Sequence, residues 1–289
     1  MTQSASYQEI YPQKEQLKKL IKLYYTYRSD DQAGCERITY YPNYTVTLNI
    51  YRHSRVQWDA FSRTHTPDSG NPFLILLVSK FDRSREIIQK GVFDKLSIVF
   101  HPLGFNHFLS GPLSYYARDH FSFFNAFGPP FEELLKQVFA TDQLTEKRDL
   151  LDAFFSRQLQ GFQEDRISYA VHHILSSNGQ IAVSRLASEL GLSRKTLYRL
   201  FQRHLAYSPR EYRSVVKFRN ALNTYQKERE KPNFSSLAYA ANYYDQSDLN
   251  FHFKEKTGLT PSRLFESLQT IERGLYWTLS QKSKTGHQS

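Results

Sequence analysis

Arg194, Lys195, Tyr198, Arg199, Gln202 and Arg203 fall on one face of a predicted helix whose other face carries Leu197, Leu200, Phe201, His204 and Leu205. The apolar set recurs at the i, i+3, i+4 spacings that keep one stripe inward. Most of the outward set is cationic. Guanidinium and ammonium groups on an exposed helix face suit a major groove, where they donate to guanine O6 and N7 or pair with phosphate oxygens. The competing reading is the solvated face of an ordinary helical bundle. What separates the two is that the stretch is written twice.

The first copy runs Leu186-Ala187, Gly191-Leu192-Ser193, Leu197, Phe201 and Ser208-Pro209. The second runs Leu237-Ala238, Asn242-Tyr243, Asp245, Leu249, Phe253, Gly258 and Thr260-Pro261. The spacing from Phe201 to Pro209 equals that from Phe253 to Pro261, and the repeat length is 51–52 residues. Two copies are too few for a solenoid and read as two related modules. Each has the grammar of a helix-turn-helix. A short Leu-Ala helix ends at a residue tolerant of left-handed backbone, Gly191 or Asn242. An N-capping residue, Ser193 or Asp245, then opens the second helix. On the second module's reading helix the outward candidates are Gln246, Ser247, Asn250 and Lys254.

Between the modules, Ser208-Pro209-Arg210-Glu211 combines an N-cap Ser, a Pro at the first helical position and a Glu three residues after the Ser. That is a capping box, and it predicts a helix continuing to about Glu228, stopped by Lys231-Pro232. A helix of some twenty residues spans roughly 30 Å, and successive major grooves on one side of a duplex lie roughly 34 Å apart. A connector of that length can hold two reading helices over adjacent grooves.

The segment Asp165–Gln269 resembles the DNA-binding domain of the AraC/XylS transcription regulators. The resemblance rests on Leu186-Ala187-x-x-x-Gly191-Leu192-Ser193, Leu197-x-x-x-Phe201, Ser208-Pro209-x-x-Tyr212 and Lys217-Phe218-x-x-Ala221. It continues through Asp245-Gln246-Ser247, Phe253-Lys254 and Gly258-x-Thr260-Pro261. It departs from the family pattern at Asn242-Tyr243 (usually Gly-Phe), Leu249 (usually aromatic), Phe251 (usually Arg) and Lys217 (more often Arg). The resemblance implies a bipartite helical domain that binds promoter DNA through two reading helices. Phe100-His101-Pro102-x-Gly104-Phe105, followed by a helix, resembles the sensor half of some AraC-type regulators, and the amino-terminal region is expected to sense a signal or dimerise.

Charge placement agrees with this division. Residues 1–180 hold 20 Lys and Arg against 19 Asp and Glu, whereas residues 181–273 hold 16 against 9. Only the back of the chain is built to meet a polyanion. The single cysteine, Cys35, excludes an intramolecular disulfide and a multi-cysteine zinc site. The first thirty residues lack a signal-peptide layout and no apolar run approaches a membrane span, so the expectation is a soluble, cytoplasmic protein.

In the front half, Pro12 to Tyr27 reads as an amphipathic helix through Leu17, Leu20, Ile21 and Tyr24. Strands are expected at Thr45–Ile50, Phe73–Val78 and Leu96–Phe100, with Arg55–Asn71 polar and turn-rich. Phe105, Phe108, Tyr115, Tyr116, Phe121, Phe123, Phe124, Phe127 and Phe131 form an aromatic-heavy stretch. They are either core or the lining of a pocket for an apolar ligand. Helices are expected at Phe131–Ala140, Thr145–Leu159 and Asp165–Ser177.

The fold class expected is α+β. A mainly β, sensor-like domain with flanking helices (1–160) precedes an all-α domain of two helix-turn-helix modules joined by a long helix (161–279), then a disordered tail (280–289). Lys195, Tyr198 and Arg199 are the candidates for base contacts in the first reading helix, with Arg194 and Arg203 on phosphates. In the second, Gln246, Ser247 and Asn250 are the base-contact candidates and Lys254 a phosphate contact. Expected partners are double-stranded promoter DNA, RNA polymerase if the protein is an activator, a small-molecule effector, and a second copy in a homodimer. No membrane, cofactor or catalytic residue is expected. Phosphate-binding and nucleophile-elbow motifs are missing, and His53, His65, His101 and His107 lack the tight spacing of a metal ligand set. Two alternatives stand beside this reading: a metal-binding or enzymatic front domain, and a helical domain that binds protein rather than DNA.

Overall fold

Strands β2 (Ile21–Ser29) and β9 (Phe93–Phe100) form the spine of the amino-terminal region, because both bury both faces. Tyr24, Leu96, Ile98 and Phe100 point into one apolar cluster, while Leu23, Tyr25, Tyr27, Phe93 and Val99 point into another. In this computed structural model, residues 6–32, 34–58, 62–227, 233–271 and 275–280 are described.

Among the described residues the strands form two six-stranded sheets, with that spine inside the first. The first has β1 (Ser6–Ile10), β2, β9, β4 (Val46–Arg52), β7 (Phe73–Val78) and β10 (Phe121–Phe123) side by side, all antiparallel. The second contains β3 (Cys35–Tyr40), β8 (Arg85–Lys90), β6 (Ser62–Pro67) and β5 (Ser54–Trp58). β6 pairs parallel with β8, and β5 closes that edge antiparallel to β6.

The outer face of the first sheet is covered by α2 (Gly128–Ala140) and α3 (Leu144–Gln158). Most of the aromatic stretch resolves here as core. Phe105, Phe108, Phe124, Phe127 and Phe131 pack with Phe100, Phe154 and Phe155 in tilted and edge-to-face pairs, the geometry that ring quadrupoles favour. Tyr115 and Phe123 remain exposed, and Phe121 lines the space between the sheets.

Two expectations for this region are corrected. The helix expected over Pro12–Tyr27 is one turn, α1 (Glu15–Lys18), after which the chain runs as β2. Leu17 belongs to that turn and Leu20 follows it, while Ile21 and Tyr24 lie in β2, whose burial on both faces erases the period-two signal and lets all four fall at helical spacing. The polar stretch Arg55–Asn71 holds β5 and β6 rather than loop alone. Its alternation was masked because His65, Arg63 and Ser54 are buried polar residues.

Among the described residues, seven helices follow in the carboxy-terminal region: α4 (Asp165–Ser176), α5 (Val183–Glu189), α6 (Arg194–Leu205), α7 (Pro209–Lys227), α8 (Phe234–Ala240), α9 (Gln246–Thr257) and α10 (Pro261–Ser267). They enclose two separate apolar clusters. Ile167, Ala170, Val171 and Ile174 of α4 support α5 and α6, and the first half of α7 completes that core through Tyr212, Val215 and Val216. The second half of α7 contributes Phe218, Ala221 and Leu222 to the cluster beneath α8, α9 and α10. One helix therefore belongs to two cores. After α10 come β11 (Gln269–Ile271) and β12 (Leu275–Ser280), the last described elements, and β12 pairs antiparallel with β3, which extends the second sheet. The segment expected to be wholly helical thus closes as strands, and Ser280, expected in a disordered tail, lies in β12. The rest of that tail, 281–289, lies outside the described residues.

Candidate nucleic-acid interface

Both modules turn with the same backbone hydrogen bonds. In the first, Gly191 N–H donates to Ser188 O and Leu192 N–H to Ala187 O; in the second, Asn242 N–H donates to Tyr239 O and Tyr243 N–H to Ala238 O. Gly191 and Asn242 sit in the left-handed region at φ 61° and 60°, a conformation that Gly adopts freely and Asn tolerates. Ser193 and Asp245 cap α6 and α9 as the sequence predicts, accepting from Thr196 N and Asp248 N at 3.0 and 2.8 Å. Both reading helices then end at a left-handed residue, Ala206 or Gly258. From cap to cap, α6 and α9 correspond at a constant offset of 52 positions.

That register assigns each outward side chain a counterpart. Leu197, Leu200, Phe201, His204 and Leu205 of α6 are buried. Arg194, Lys195, Tyr198, Arg199 and Arg203 are all exposed, with Gln202 half-buried among them. The four cations lie on one uninterrupted face. On α9 the buried set is Leu249, His252, Phe253 and Lys256, leaving Gln246, Ser247, Phe251, Lys254 and Glu255 exposed and Asn250 half-buried. Gln246 is not wholly free, because its side-chain oxygen accepts from Ser235 Oγ at 3.0 Å. Asp248 is turned aside: its carboxylate accepts from the Tyr244 N–H at 3.2 Å and lies 3.3 Å from Lys217 Nζ. Lys217 in turn sits 3.8 Å above the Tyr243 ring.

A buried histidine ties α9 to the connector. His252 Nε2 lies 2.8 Å from Ser214 Oγ on α7, and its Nδ1 lies 2.6 Å from the Tyr243 hydroxyl. Burial, then the charges of Lys256 and Lys217, push its pKa down to about 3, so the ring is neutral and both nitrogens serve as structural partners. At the other end of α7 the predicted capping box is present. Glu211 N–H donates to Ser208 Oγ, Ser208 N–H donates to Glu211 Oε2, and Lys80 Nζ reaches Glu211 Oε1 at 2.9 Å. Burial alone would raise the Glu211 pKa, but Lys80 and the Ser208 donors outweigh it and hold the carboxyl below its ordinary range.

Sequence reasoning missed how the amino-terminal region grips the reading helices from outside its sheets. The last-turn carbonyls of a helix have no intrahelical partner. His204 O accepts from Asn106 Nδ2 at 3.0 Å, and its register equivalent, Lys256 O, accepts from Ser84 N–H at 2.8 Å. Just beyond α6, the Tyr207 hydroxyl accepts from Phe81 N–H and donates to Asn43 O at 2.8 Å. Asn43 and Phe81 form an isolated antiparallel bridge in which Asn43 N–H donates to Phe81 O. A phenol from the helical region is thus inserted into the other rung of that bridge. Leu103 and Tyr41, from the amino-terminal region, enter the apolar clusters of the first and second modules respectively. Nothing in the residue types of Ser84, Asn106 or Tyr207 signals these roles in the sequence.

Beside this grip, Tyr25, Tyr40, Asn43, Asn49, Phe81, Lys95 and Arg219 line a cavity between the sheets and α7. Lys95 is buried there, with Nζ 3.1 Å from Tyr25 OH and 3.4 Å from Tyr40 OH. His65, stacked on Tyr51, is pushed down to about 3 by burial and by the nearby charges of Arg63 and Lys95. Among the described residues no three His, Cys, Asp or Glu side chains group to hold a metal, and no helix is long and apolar enough to cross a membrane.

The paired turns, matching caps and shared connector define a double helix-turn-helix unit. Residues 186–267 match the family model described as a helix-turn-helix domain, and this part of the chain is an AraC-type helix-turn-helix domain. No curated protein matches the chain. Among solved structures, ToxT from Vibrio cholerae, in a 1.65 Å structure, is 11% identical, with 90% of this chain and 96% of that one covered and a TM-score of 0.43. Wild-type ToxT bound to an unsaturated fatty acid is 12% identical, with 90% and 93% covered and a TM-score of 0.42. At that level of likeness nothing of ToxT's ligand or activity transfers to this chain.

Proposed function

We propose that the chain is a sequence-specific, double-stranded DNA-binding transcription regulator of the AraC/XylS type, whose carboxy-terminal domain (161–279) lays α6 and α9 in adjacent major grooves. The observation that carries the reading is the match between the two modules, turn for turn and cap for cap, with the cationic face of α6 left exposed on one of them. Among the described residues none of these four cations has an ion-pair partner, which leaves the whole face available to a polyanion. In this reading Lys195, Tyr198 and Arg199 contact base edges, and Arg194 and Arg203 hold phosphates. On α9, Gln246, Ser247 and Asn250 take the base-contact role and Lys254 the phosphate role. The amino-terminal region (1–160) senses a small molecule or another signal, with the cavity around Lys95 as the receiving site, and supplies a homodimer contact. RNA polymerase is a partner if the protein activates. The reading places the protein in the cytoplasm and assigns it no catalytic step.

Gel shifts of the full chain with genomic fragments, at two salt concentrations, test this. Retention of particular fragments, weakening steeply with salt, is expected. Failure to retain any duplex at low salt would end the reading in favour of a protein-binding bundle.

A further inference from the structure

The offset that relates α6 to α9 places Phe251 where Arg199 stands in the first module. The flanking correspondences fix that register without adjustment. Leu197 and Leu249 are buried, Phe201 and Phe253 are buried, and His204 and Lys256 present the carbonyls held by the amino-terminal region. Phe251 is 71% exposed. It lies one helical turn from Ser247 on one side and from Lys254 on the other, at the centre of the outward face.

A phenyl ring in that place cannot do what a guanidinium does. It neither donates nor accepts, so it offers nothing to a phosphate or to the polar edge of a base. What it can do is leave water against another apolar surface. The major groove displays one apolar group, the C5-methyl of thymine, and apolar side chains recognise it by contact. The surroundings fit a module that reads by shape rather than charge. Asp248 is engaged by Lys217, Glu255 pairs with Lys256 at 3.4 Å, and α9 leaves Lys254 as its one exposed cation, without a cationic face like that of α6. We therefore propose that Phe251 is a specificity-determining residue that selects thymine in the second half-site by packing on its methyl group. The two modules would then be unequal, the first supplying charge and guanine-type hydrogen bonding, the second apolar discrimination. The inference rests on the DNA-binding reading above.

The test uses the full chain and a duplex selected by it from a random pool. Each thymine in the part protected by the second module is replaced singly by deoxyuridine, which removes the methyl and leaves the pairing groups intact. One or two positions should weaken binding about fourfold, the effect of exposing one methyl-sized group again. Phe251→Ala should bind the parent duplex more weakly and lose the distinction between thymine and uracil at those positions. Phe251→Arg, which copies the first module, should also lose it and shift selection toward guanine. Because the ring is on the surface, both variants are expected to melt like the parent. Thymine and uracil bound within twofold at every position would overturn the proposal while leaving DNA binding intact, as would a distinction that survives in Phe251→Ala. Unchanged DNA selection in Phe251→Ala, with transcription by added polymerase lost, would assign the ring to a protein partner instead. Absence of any selected duplex would defeat the DNA-binding reading itself.

Discussion

Removing one oxygen should loosen the joint between the two halves of the molecule. In Tyr207→Phe the ring keeps its packing, being fully buried beside Tyr212 and within reach of Lys80, but the hydroxyl between Phe81 N–H and Asn43 O is gone. Phe81 N–H is buried and Asn43 O partly so, and both lose this partner at once. A buried donor or acceptor left unsatisfied costs about 1–3 kcal/mol, and some closing of the Asn43–Phe81 rung would recover part of it. The expected net is about 2–3 kcal/mol of local stability. Hydrogen exchange at the Phe81 amide reads this directly, since opening there requires the joint to part. Its protection should fall roughly 30- to 150-fold, at about 1.4 kcal/mol per factor of ten. Amides in the core of the first sheet, such as Ile98, should be unaffected. Protection at Phe81 within threefold of the parent would show that the phenol is not what closes the bridge.

Four further outcomes are expected. Arg199→Ala should lower DNA affinity by about 1–3 kcal/mol and relax preference at one base position; uniform weakening on every sequence would move Arg199 to the phosphates. Lys254→Ala should act alike on all sequences and reduce the salt-dependence slope by about one unit, a loss of specificity being the contrary result. Gly179→Ala should destabilise the first module by about 2–4 kcal/mol in urea unfolding, because a Cβ there comes 2.6 Å from Arg213 O at φ 78°; a loss under about 1 kcal/mol would mean that α7 can shift. For pH, His252 has a folded pKa near 3 against 6.5 unfolded, so its contribution is present above 6.5 and lost as pH falls toward 3. Replacing it in His252→Gln should flatten the stability profile between about pH 6 and 4 by about 1.4 kcal/mol per pH unit, and superimposable slopes would exclude it as the titrating group.

The parts legible from sequence are those whose signals are local. Ser193, Asp245 and the Ser208–Glu211 box each announce a helix start through a side chain bonded within three residues, and each is found doing so. Gly191 and Asn242 mark turns because few residues accept left-handed backbone. The front half was harder for a physical reason. β2 and β9 are buried on both faces, so apolar residues fall at every spacing, helical ones included. β5 and β6 hide for the opposite reason, since Ser54 of β5 and Arg63 and His65 of β6 are buried polar residues. The return of β12 to β3 pairs residues near the two ends of the chain, and nothing local encodes it. Arg199 and Phe251 could be aligned from sequence alone, but the exposure of the ring and the diversion of Asp248 toward Lys217 could not.

The grip on the reading helices bears on how a signal could travel. A helix docked only through its apolar face can rock about its axis, whereas one also held by its last-turn carbonyl has its far end fixed. Here the equivalent carbonyls, His204 O and Lys256 O, are held from the same amino-terminal region through Asn106 and Ser84. The two helices are therefore referenced to one body as well as to each other through α7. Asn43 and Phe81 belong both to the joint completed by Tyr207 and to the wall of the cavity that contains Lys95. A group seated in that cavity would touch the same backbone that locks the first module, while Arg219, also in the wall, lies on α7 between the modules. Coupling between sites requires a two-state element that both sites bias. The Asn43–Phe81–Tyr207 bridge is a contact that the cavity wall and the first module share, so a group in the cavity that favoured its parting would bias the first module as well.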